Sequence, residues 1–196
     1  EHYGAEVICV HDEGDIGACI RECIALAQRM AADDPRVFVP QQFVNRDNLA
    51  AHVDGTAAEI LADVRAAGIA IDGFCSGFGT GGTITGIGSE LRTVFPKVQI
   101  WAAEPEHAAL LSGGAIGTHV QMGIGDGILP AIMDTALIDE IVVVTDEEAM
   151  ECARRLPREE GLLAGNSSGT NVAAALRLAR VLGPGKTVVT LAPDTG

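Results

Sequence analysis

A glycine-rich turn near the middle of the chain constrains the fold more than any other stretch. It lies between an apolar run over 71–78 and a helical pattern over 83–94, and it consists of Gly79, Thr80, Gly81, Gly82 and Thr83. Glycines let backbone N–H groups approach a ligand without a Cβ atom in the way, and the following helix directs its free N–H groups at the same spot. The sequence therefore predicts strand, turn and helix with a phosphate at the turn, although close strand–helix packing would also require glycine.

The same stretch has a second interpretation. Residues 77–82 fit the pattern G-x-G-x-x-G, and Glu104 ends the next apolar run roughly twenty residues later, as a dinucleotide site requires. A second glycine/serine turn, residues 165–169, also precedes a helical pattern, and a dinucleotide site alone does not explain it. The two turns together suggest a ligand held from both sides. Glu104 could contact a ribose or, equally, hold a loop in place.

The order of apolar patterns predicts a parallel sheet. Strands are expected over 5–10, 71–78, 98–103, 141–144 and 187–191, and helices over 16–30, 56–67, 83–94 and 171–182. A further helix begins after Thr145, and Pro157 should bend or end it near Leu156. Strand, helix and strand in succession form right-handed crossovers. Between these elements, the amide-rich stretch 41–48 reads as a loop, either functional or merely exposed, and the loosely patterned stretch 107–134 is expected to be functional.

Composition limits the possible partners. A net charge of −14 argues against a nucleic acid or an anionic membrane surface, and no run is long enough to span a membrane. The five cysteines lack paired spacing, which fits a reducing cytosol, and Cys19 and Cys23 lack the further ligands that a metal site needs. No metal is expected.

The 165–169 turn also fits G-x-S-x-G, the turn that presents a nucleophilic serine in α/β hydrolases. Those enzymes place their histidine after the serine, yet all five histidines here precede Ser167, and each is expected to be a surface or core residue. A hydrolase is therefore disfavoured. The hydroxyl of Ser167 either belongs to a plain helix-capping turn or faces a bound ring.

Taken together, five stretches resemble cysteine synthase, the O-acetylserine sulfhydrylase branch of the fold-type II pyridoxal-phosphate enzymes, which also contains cystathionine β-synthase. The resemblance extends in order over nearly the whole chain. It is carried by residues 41–48 with Gly55, Thr56, Glu59 and Ile60, by 79–83, by 123–125, by 146–149 and by 165–169.

The resemblance implies a three-layer α/β fold of the tryptophan synthase β type, a parallel sheet with helices on both faces. Residues 1–40 would be the last βα part of a smaller N-terminal domain, and 41–196 the large cofactor-binding domain. Pyridoxal 5′-phosphate would be held by the backbone N–H groups of the central turn and by the hydroxyls of Thr80 and Thr83, with Ser167 at the ring nitrogen. Gln42 and Gly123 would contact the substrate.

The resemblance further implies a cytoplasmic homodimer that makes L-cysteine from sulfide and O-acetylserine or a related activated serine. Two residues depart from the family pattern, Asn166 and Pro157, and both bear on fine specificity. The larger departure is the absence of the family's Schiff-base lysine. Only Lys97 and Lys186 are present, each before the amino end of a predicted strand and so far from a site at the carboxyl ends.

The chain is therefore expected to be a fragment lacking an N-terminal portion, with no catalytic residue of its own and no activity alone. Three alternatives stay open for the protein. They are a cystathionine β-synthase-like or other fold-type II eliminase, a nicotinamide oxidoreductase, and a non-catalytic fragment.

Overall fold

The computed structural model describes residues 3–11 and 14–194. The first half contains α1 (Ile16–Asp33), then one continuous helical stretch made of α2 (Asp47–Ala51), a π-helical turn (His52–Ala57) and α3 (Ala58–Ala67). Next come β1 (Gly73–Gly77), α4 (Gly82–Val94) and β2 (Gln99–Pro105). The chain continues through a 3₁₀ turn (Thr135–Leu137), β3 (Glu140–Val144), α5 (Asp146–Glu159), α6 (Asn166–Leu182) and β4 (Val188–Val189).

The four strands form one parallel sheet in the order β3-β2-β1-β4. Parallel neighbours need a crossover connection, and α4 provides the one between β1 and β2. All carboxyl ends consequently lie along the same edge. The predicted parallel sheet is confirmed.

Helices cover both faces of this sheet. Phe74 of β1 and Ile100 of β2 pack with Leu91 of α4 in one core cluster, while their neighbours Cys75 and Trp101 pack with Leu178 of α6 in another. Side chains alternate between the faces along each strand, so strands buried on both sides are apolar throughout. The predicted three-layer fold is confirmed.

The first predicted strand is wrong. Residues 5–10 form no strand, and most of them are exposed. A strand needs a neighbour to accept its backbone hydrogen bonds, and no other strand in the described part of the chain pairs with this segment. The helix after it is confirmed and extends to Asp33, with the Asp15 side chain capping its first turn.

Two helix boundaries also differ from the prediction. Helix α6 begins at Asn166, with Gly165 as its N-cap, so the predicted 165–169 loop is the first helical turn. Helix α5 continues through Pro157 to Glu159. A proline this close to the end of a helix removes only one backbone hydrogen bond, and Glu160 N still donates to Leu156 O at 2.9 Å.

None of the helices in residues 3–11 and 14–194 is both long and apolar enough to cross a membrane. Helix α1 is 18 residues long, and it carries Arg21, Glu22 and Arg29.

Candidate functional site

A cavity of about 620 Å³ opens beside the carboxyl end of β1. Its walls come from the turn after β1, the start of α6, the π-helical turn, the glycine cluster near 123 and the segment that follows β4. Seven of the eight predicted site residues line it, namely Gln42, Gly79, Thr80, Gly81, Thr83, Gly123 and Ser167. The eighth, Gly82, begins α4 and packs against Asn48 instead.

The turn after β1 leaves the amino end of α4 open to the cavity. Gly81 is the N-cap, with a left-handed φ of +78° and no side chain to cap the helix, and the one side-chain acceptor near the first turn, Thr80 Oγ1, lies 3.5 Å from Gly82 N. A Cβ atom on Gly81 would lie 2.6 Å from Met133 Cβ, so both the conformation and the space require glycine here. First-turn N–H groups without a capping side chain form a natural anion site.

Asn48 links the turn after β1 to the 41–48 segment. Its Nδ2 donates to Thr80 Oγ1 and to the Gln42 backbone oxygen, both at 2.9 Å. Because Gln42 O can only accept, the amide group must present its NH₂ to both partners. The hydroxyl oxygen of Thr80 therefore accepts a hydrogen bond from Asn48, and the hydroxyl hydrogen remains available to donate to a ligand in the cavity.

Gln42 itself is presented by a strained turn. Gln41 has φ +53°, a conformation that non-glycine residues rarely adopt. Its carbonyl accepts from Val44 N at 2.9 Å and from Asn45 N at 2.8 Å, which fixes the turn. The predicted loop therefore has a defined backbone geometry, and Gln42 within it lines the cavity.

His52 also lines the cavity, a position that sequence analysis did not predict for it. Its Nδ1 lies 3.1 Å from Thr56 Oγ1, and its Nε2 lies 3.1 Å from Thr83 Oγ1. Burial lowers the pKa of His52, because the charged ring loses solvation. No spacing motif marks this histidine in the sequence.

Ser167 and Ser168 lie at the start of α6 and have different surroundings. Ser168 Oγ donates to Asp194 Oδ1 at 2.8 Å, and the same oxygen accepts from Gly165 N at 2.8 Å. Ser167 is 4% exposed, and within residues 3–11 and 14–194 its hydroxyl forms no hydrogen bond. Its hydroxyl is the one of the pair that remains free for a ligand.

Asp126 is a second side chain that sequence analysis did not single out. It lines the cavity next to the turn after β1, and its Oδ2 would be 2.8 Å from a Cβ atom on Gly79. Burial raises the pKa of this carboxyl group, while the nearby His119 acts in the opposite direction. A carboxyl group in this environment can hold or release a proton near a ligand.

Glu104 is engaged within the protein. It is 1% exposed, and its carboxylate accepts from Leu111 N at 2.5 Å, Ser112 N at 3.0 Å and Ser112 Oγ at 2.9 Å. These contacts fit the loop-holding role rather than a ribose contact. The structure therefore weakens the dinucleotide interpretation.

Neither lysine lies at the cavity. Lys97 is in the turn before β2, and Lys186 precedes β4, where its Nζ contacts Asp72 Oδ1 at 2.8 Å. Both positions are at the amino ends of strands, opposite the cavity edge. This agrees with the expectation that neither serves as a Schiff-base residue.

Comparison with known proteins gives consistent results. Residues 1–194 match the family described as pyridoxal-phosphate dependent enzymes. The cysteine synthase of Staphylococcus aureus (strain N315) is 40% identical over 194 residues, which are 99% of this chain and 60% of that protein. The chain thus spans about 60% of the length of the curated relatives it matches.

Solved structures agree. A crystal structure of cysteine synthase from Entamoeba histolytica superposes with a TM-score of 0.85 at 34% identity, covering 100% of this chain and 56% of that one. The O-acetylserine dependent cystathionine β-synthase from Helicobacter pylori gives a TM-score of 0.83 at 35% identity, covering 90% and 56%.

Proposed function

Because the chain belongs to the family of pyridoxal-phosphate dependent enzymes, we propose that it forms the cofactor-binding part of a cysteine synthase. That enzyme joins sulfide to O-acetylserine or a related activated serine. One observation carries the proposal. A single cavity is lined by residues from the 41–48, 79–83, 123–125 and 165–169 stretches, which are far apart in sequence.

The residues at the turn after β1 fit a phosphate monoester. The amino end of α4 offers backbone N–H groups with no side chain on its N-cap residue, and Thr80 and Thr83 add hydroxyls. No lysine or arginine lines the cavity in the described part of the chain, so the helix dipole and the N–H groups must bind the anion. Gly81 keeps the approach free of a side chain.

Pyridoxal phosphate, when bound, supplies an electron sink that helps a substituent leave the β-carbon of an amino acid. The free hydroxyl of Ser167 would contact the ring nitrogen. A neutral hydroxyl, unlike a carboxylate, does not stabilise a protonated ring, and this limits electron delocalisation in favour of β-elimination.

Substrate contacts come from two other walls of the cavity. The side-chain amide of Gln42 would donate to the substrate carboxylate, and the 41–45 turn fixes the backbone from which that side chain extends. Gly123, with φ +89° and no atom within 4 Å of an added Cβ, keeps the opposite wall open.

The cofactor assignment can be tested by titrating the chain with pyridoxal phosphate and with pyridoxal. Emission from Trp101, the one tryptophan of the sequence, reports binding. We expect pyridoxal phosphate to bind more tightly, and Ser167→Ala to change the spectrum of the bound cofactor without changing this preference. Equal affinities for the two compounds would contradict the phosphate site.

The reaction can be tested by supplying the N-terminal portion of a cysteine synthase as a separate polypeptide. The chain alone should form no cysteine, because its lysines lie away from the cavity, and the added portion should restore turnover if the pieces associate. Turnover by the chain alone, with Lys97 or Lys186 labelled on borohydride reduction, would refute this.

A thiol-bearing amino acid is a second candidate nucleophile. Its support is the similarity to the Helicobacter pylori enzyme, which is named an O-acetylserine dependent cystathionine β-synthase. Competition between sulfide and such a thiol in the reconstituted enzyme distinguishes the two.

We further propose that the parent protein is a cytoplasmic homodimer, and that residues 1–40 belong to its smaller domain and 41–196 to its larger one. These proposals are supported by the family resemblance. Size-exclusion chromatography with light scattering on the reconstituted protein tests the homodimer.

A further inference from the structure

The ring of His52 connects two hydroxyls at the cavity wall. Nδ1 is 3.1 Å from Thr56 Oγ1 on one side, and Nε2 is 3.1 Å from Thr83 Oγ1 on the other. Thr83 belongs to the turn proposed to bind phosphate, whereas His52 and Thr56 belong to the facing helix. The ring thus links the helix to the turn.

Two features of the fold accompany this geometry. Residues 52–57 form a π-helical turn, a feature that is often found at functional sites, and both His52 and Thr56 line the cavity from it. Helix α4 passes unusually close, because a Cβ atom on Gly86 would lie 2.8 Å from His52 Cβ. Backbone packing therefore fixes the Cβ atom from which the ring extends, and the two threonine hydroxyls lie within hydrogen-bond distance of its nitrogens.

A neutral imidazole carries one ring proton, so only one of its nitrogens can donate. If the proton is on Nδ1, Nε2 must accept from the Thr83 hydroxyl, whose hydrogen is then unavailable to a ligand. If the proton is on Nε2, this N–H donates to Thr83 Oγ1, and the Thr83 hydrogen is free to point into the cavity. Burial lowers the pKa of His52, which favours the neutral ring.

We propose that His52 is a positioning residue for the phosphate group, with its Nε2–H turning the Thr83 hydroxyl toward the anion. The inference rests on the phosphate site proposed above. Thr80 has the same arrangement: the Asn48 amide donates to its hydroxyl oxygen, which leaves the hydroxyl hydrogen available to a ligand. An anion bound at the turn selects the Nε2–H tautomer, since only that form adds a hydroxyl donor.

The first test measures the preference of the 196-residue chain for pyridoxal phosphate over pyridoxal. His52→Leu should reduce this preference about tenfold, as expected for losing a hydrogen bond to a charged group. His52→Gln, whose amide can still donate toward Thr83, should retain most of it. His107→Leu is the matched control, because that histidine is exposed and outside the cavity.

A double-mutant cycle shows whether His52 acts through Thr83. Thr83→Val should reduce the preference, and adding His52→Leu to it should cause little further loss. Additive losses would overturn the proposal, because they would mean that the two residues contribute independently. Circular dichroism and thermal unfolding of each variant identify any loss due to misfolding, and His52→Gln provides the test if His52→Leu does not fold.

The second test observes the tautomer directly. Nitrogen-15 NMR of the histidine side chains distinguishes a protonated from an unprotonated ring nitrogen, and His52→Gln identifies the His52 signals. Adding inorganic phosphate should shift the His52 population toward Nε2–H. Binding of phosphate without this shift would overturn the role of His52, whereas no preference for the phosphate ester in the unchanged chain would overturn the phosphate site itself.

Discussion

Asn48 provides the sharpest test of how the cavity is assembled. Its single NH₂ group holds both Thr80 of the turn after β1 and the backbone of Gln42, each at 2.9 Å. Asn48→Leu removes both hydrogen bonds, and Asn48→Asp keeps the shape while replacing the donors by acceptors. In Asn48→Asp, the carboxylate faces the Gln42 oxygen and draws the Thr80 hydrogen away from the cavity.

The magnitudes follow from the two contacts. An intramolecular hydrogen bond contributes about 1 kcal/mol net, so Asn48→Leu should lower the free energy of unfolding by about 2 kcal/mol. Loss of one oriented hydroxyl should weaken binding of pyridoxal phosphate about tenfold. Asn48→Asp should weaken it further, because Thr80 is then directed to a competing acceptor and a negative charge lies beside the site.

Urea unfolding measures the first effect, and titration followed by Trp101 emission measures the second. Asn45→Leu is the matched control, since Asn45 also uses its side chain within this loop, donating to Pro40 O at 3.2 Å and accepting from Asp47 N at 3.0 Å, and neither hydrogen bond involves the turn after β1. The control should lose stability and keep its preference for the phosphate ester. If Asn48→Leu and Asn45→Leu have equal affinities for pyridoxal phosphate, the reasoning is refuted.

Three further predictions concern stability and reactivity. Gln41→Gly should raise the free energy of unfolding by about 0.5–1 kcal/mol, because relief of the left-handed conformation outweighs the entropy of glycine; urea unfolding checks this, and a loss contradicts it. The hydrogen bond from Lys186 lowers the pKa of Asp72, so its stabilisation is present above the unfolded pKa of about 4 and is lost as the pH falls through the lower folded value. Asp72→Asn should thus lower the free energy of unfolding near pH 7 and reduce the loss of that free energy as the pH falls below 4. An unchanged dependence of the free energy of unfolding on pH would refute the role of this pair. Burial raises the pKa of Cys75 to about 12, so at pH 8 a thiol reagent should label exposed Cys23 and leave Cys75 unreacted until the chain unfolds; mass spectrometry of labelled peptides would expose any early reaction.

Apolar runs predicted the central strands well, and the reason is physical. Residues 73–77 of β1 are buried throughout, so nearly every position must be compatible with a core. The run over 5–10 has the same character, yet it forms no strand. Such a run indicates that a segment tends to be buried, but it carries no information on whether a neighbouring strand is available to pair with it.

Local patterns also left the ends of helices uncertain. The 165–169 turn was predicted as a loop because glycine and serine are poor in helix interiors. Gly169 nonetheless lies within α6, where a Cβ atom would overlap the carbonyl oxygen of Ala149. Close packing of α6 on α5 requires glycine at this point, so a tertiary contact overrides the local preference.

Two side chains to which sequence analysis gave no role in the site, Asn48 and His52, share one property that explains why their roles were not predicted. Asn48 contacts a residue 32 positions away, and His52 contacts one 31 positions away. Each forms a hydrogen bond with a threonine of the glycine-rich turn, Asn48 with Thr80 and His52 with Thr83. A motif specifies the residues that touch the ligand, because their spacing is fixed by one local turn. The groups that orient those residues come from whichever helix packs behind the turn, and their spacing depends on loop lengths that can vary without changing the chemistry. The supporting residues of a site must therefore be found from packing, and in this chain they lie on the helical stretch that approaches α4 at Gly86.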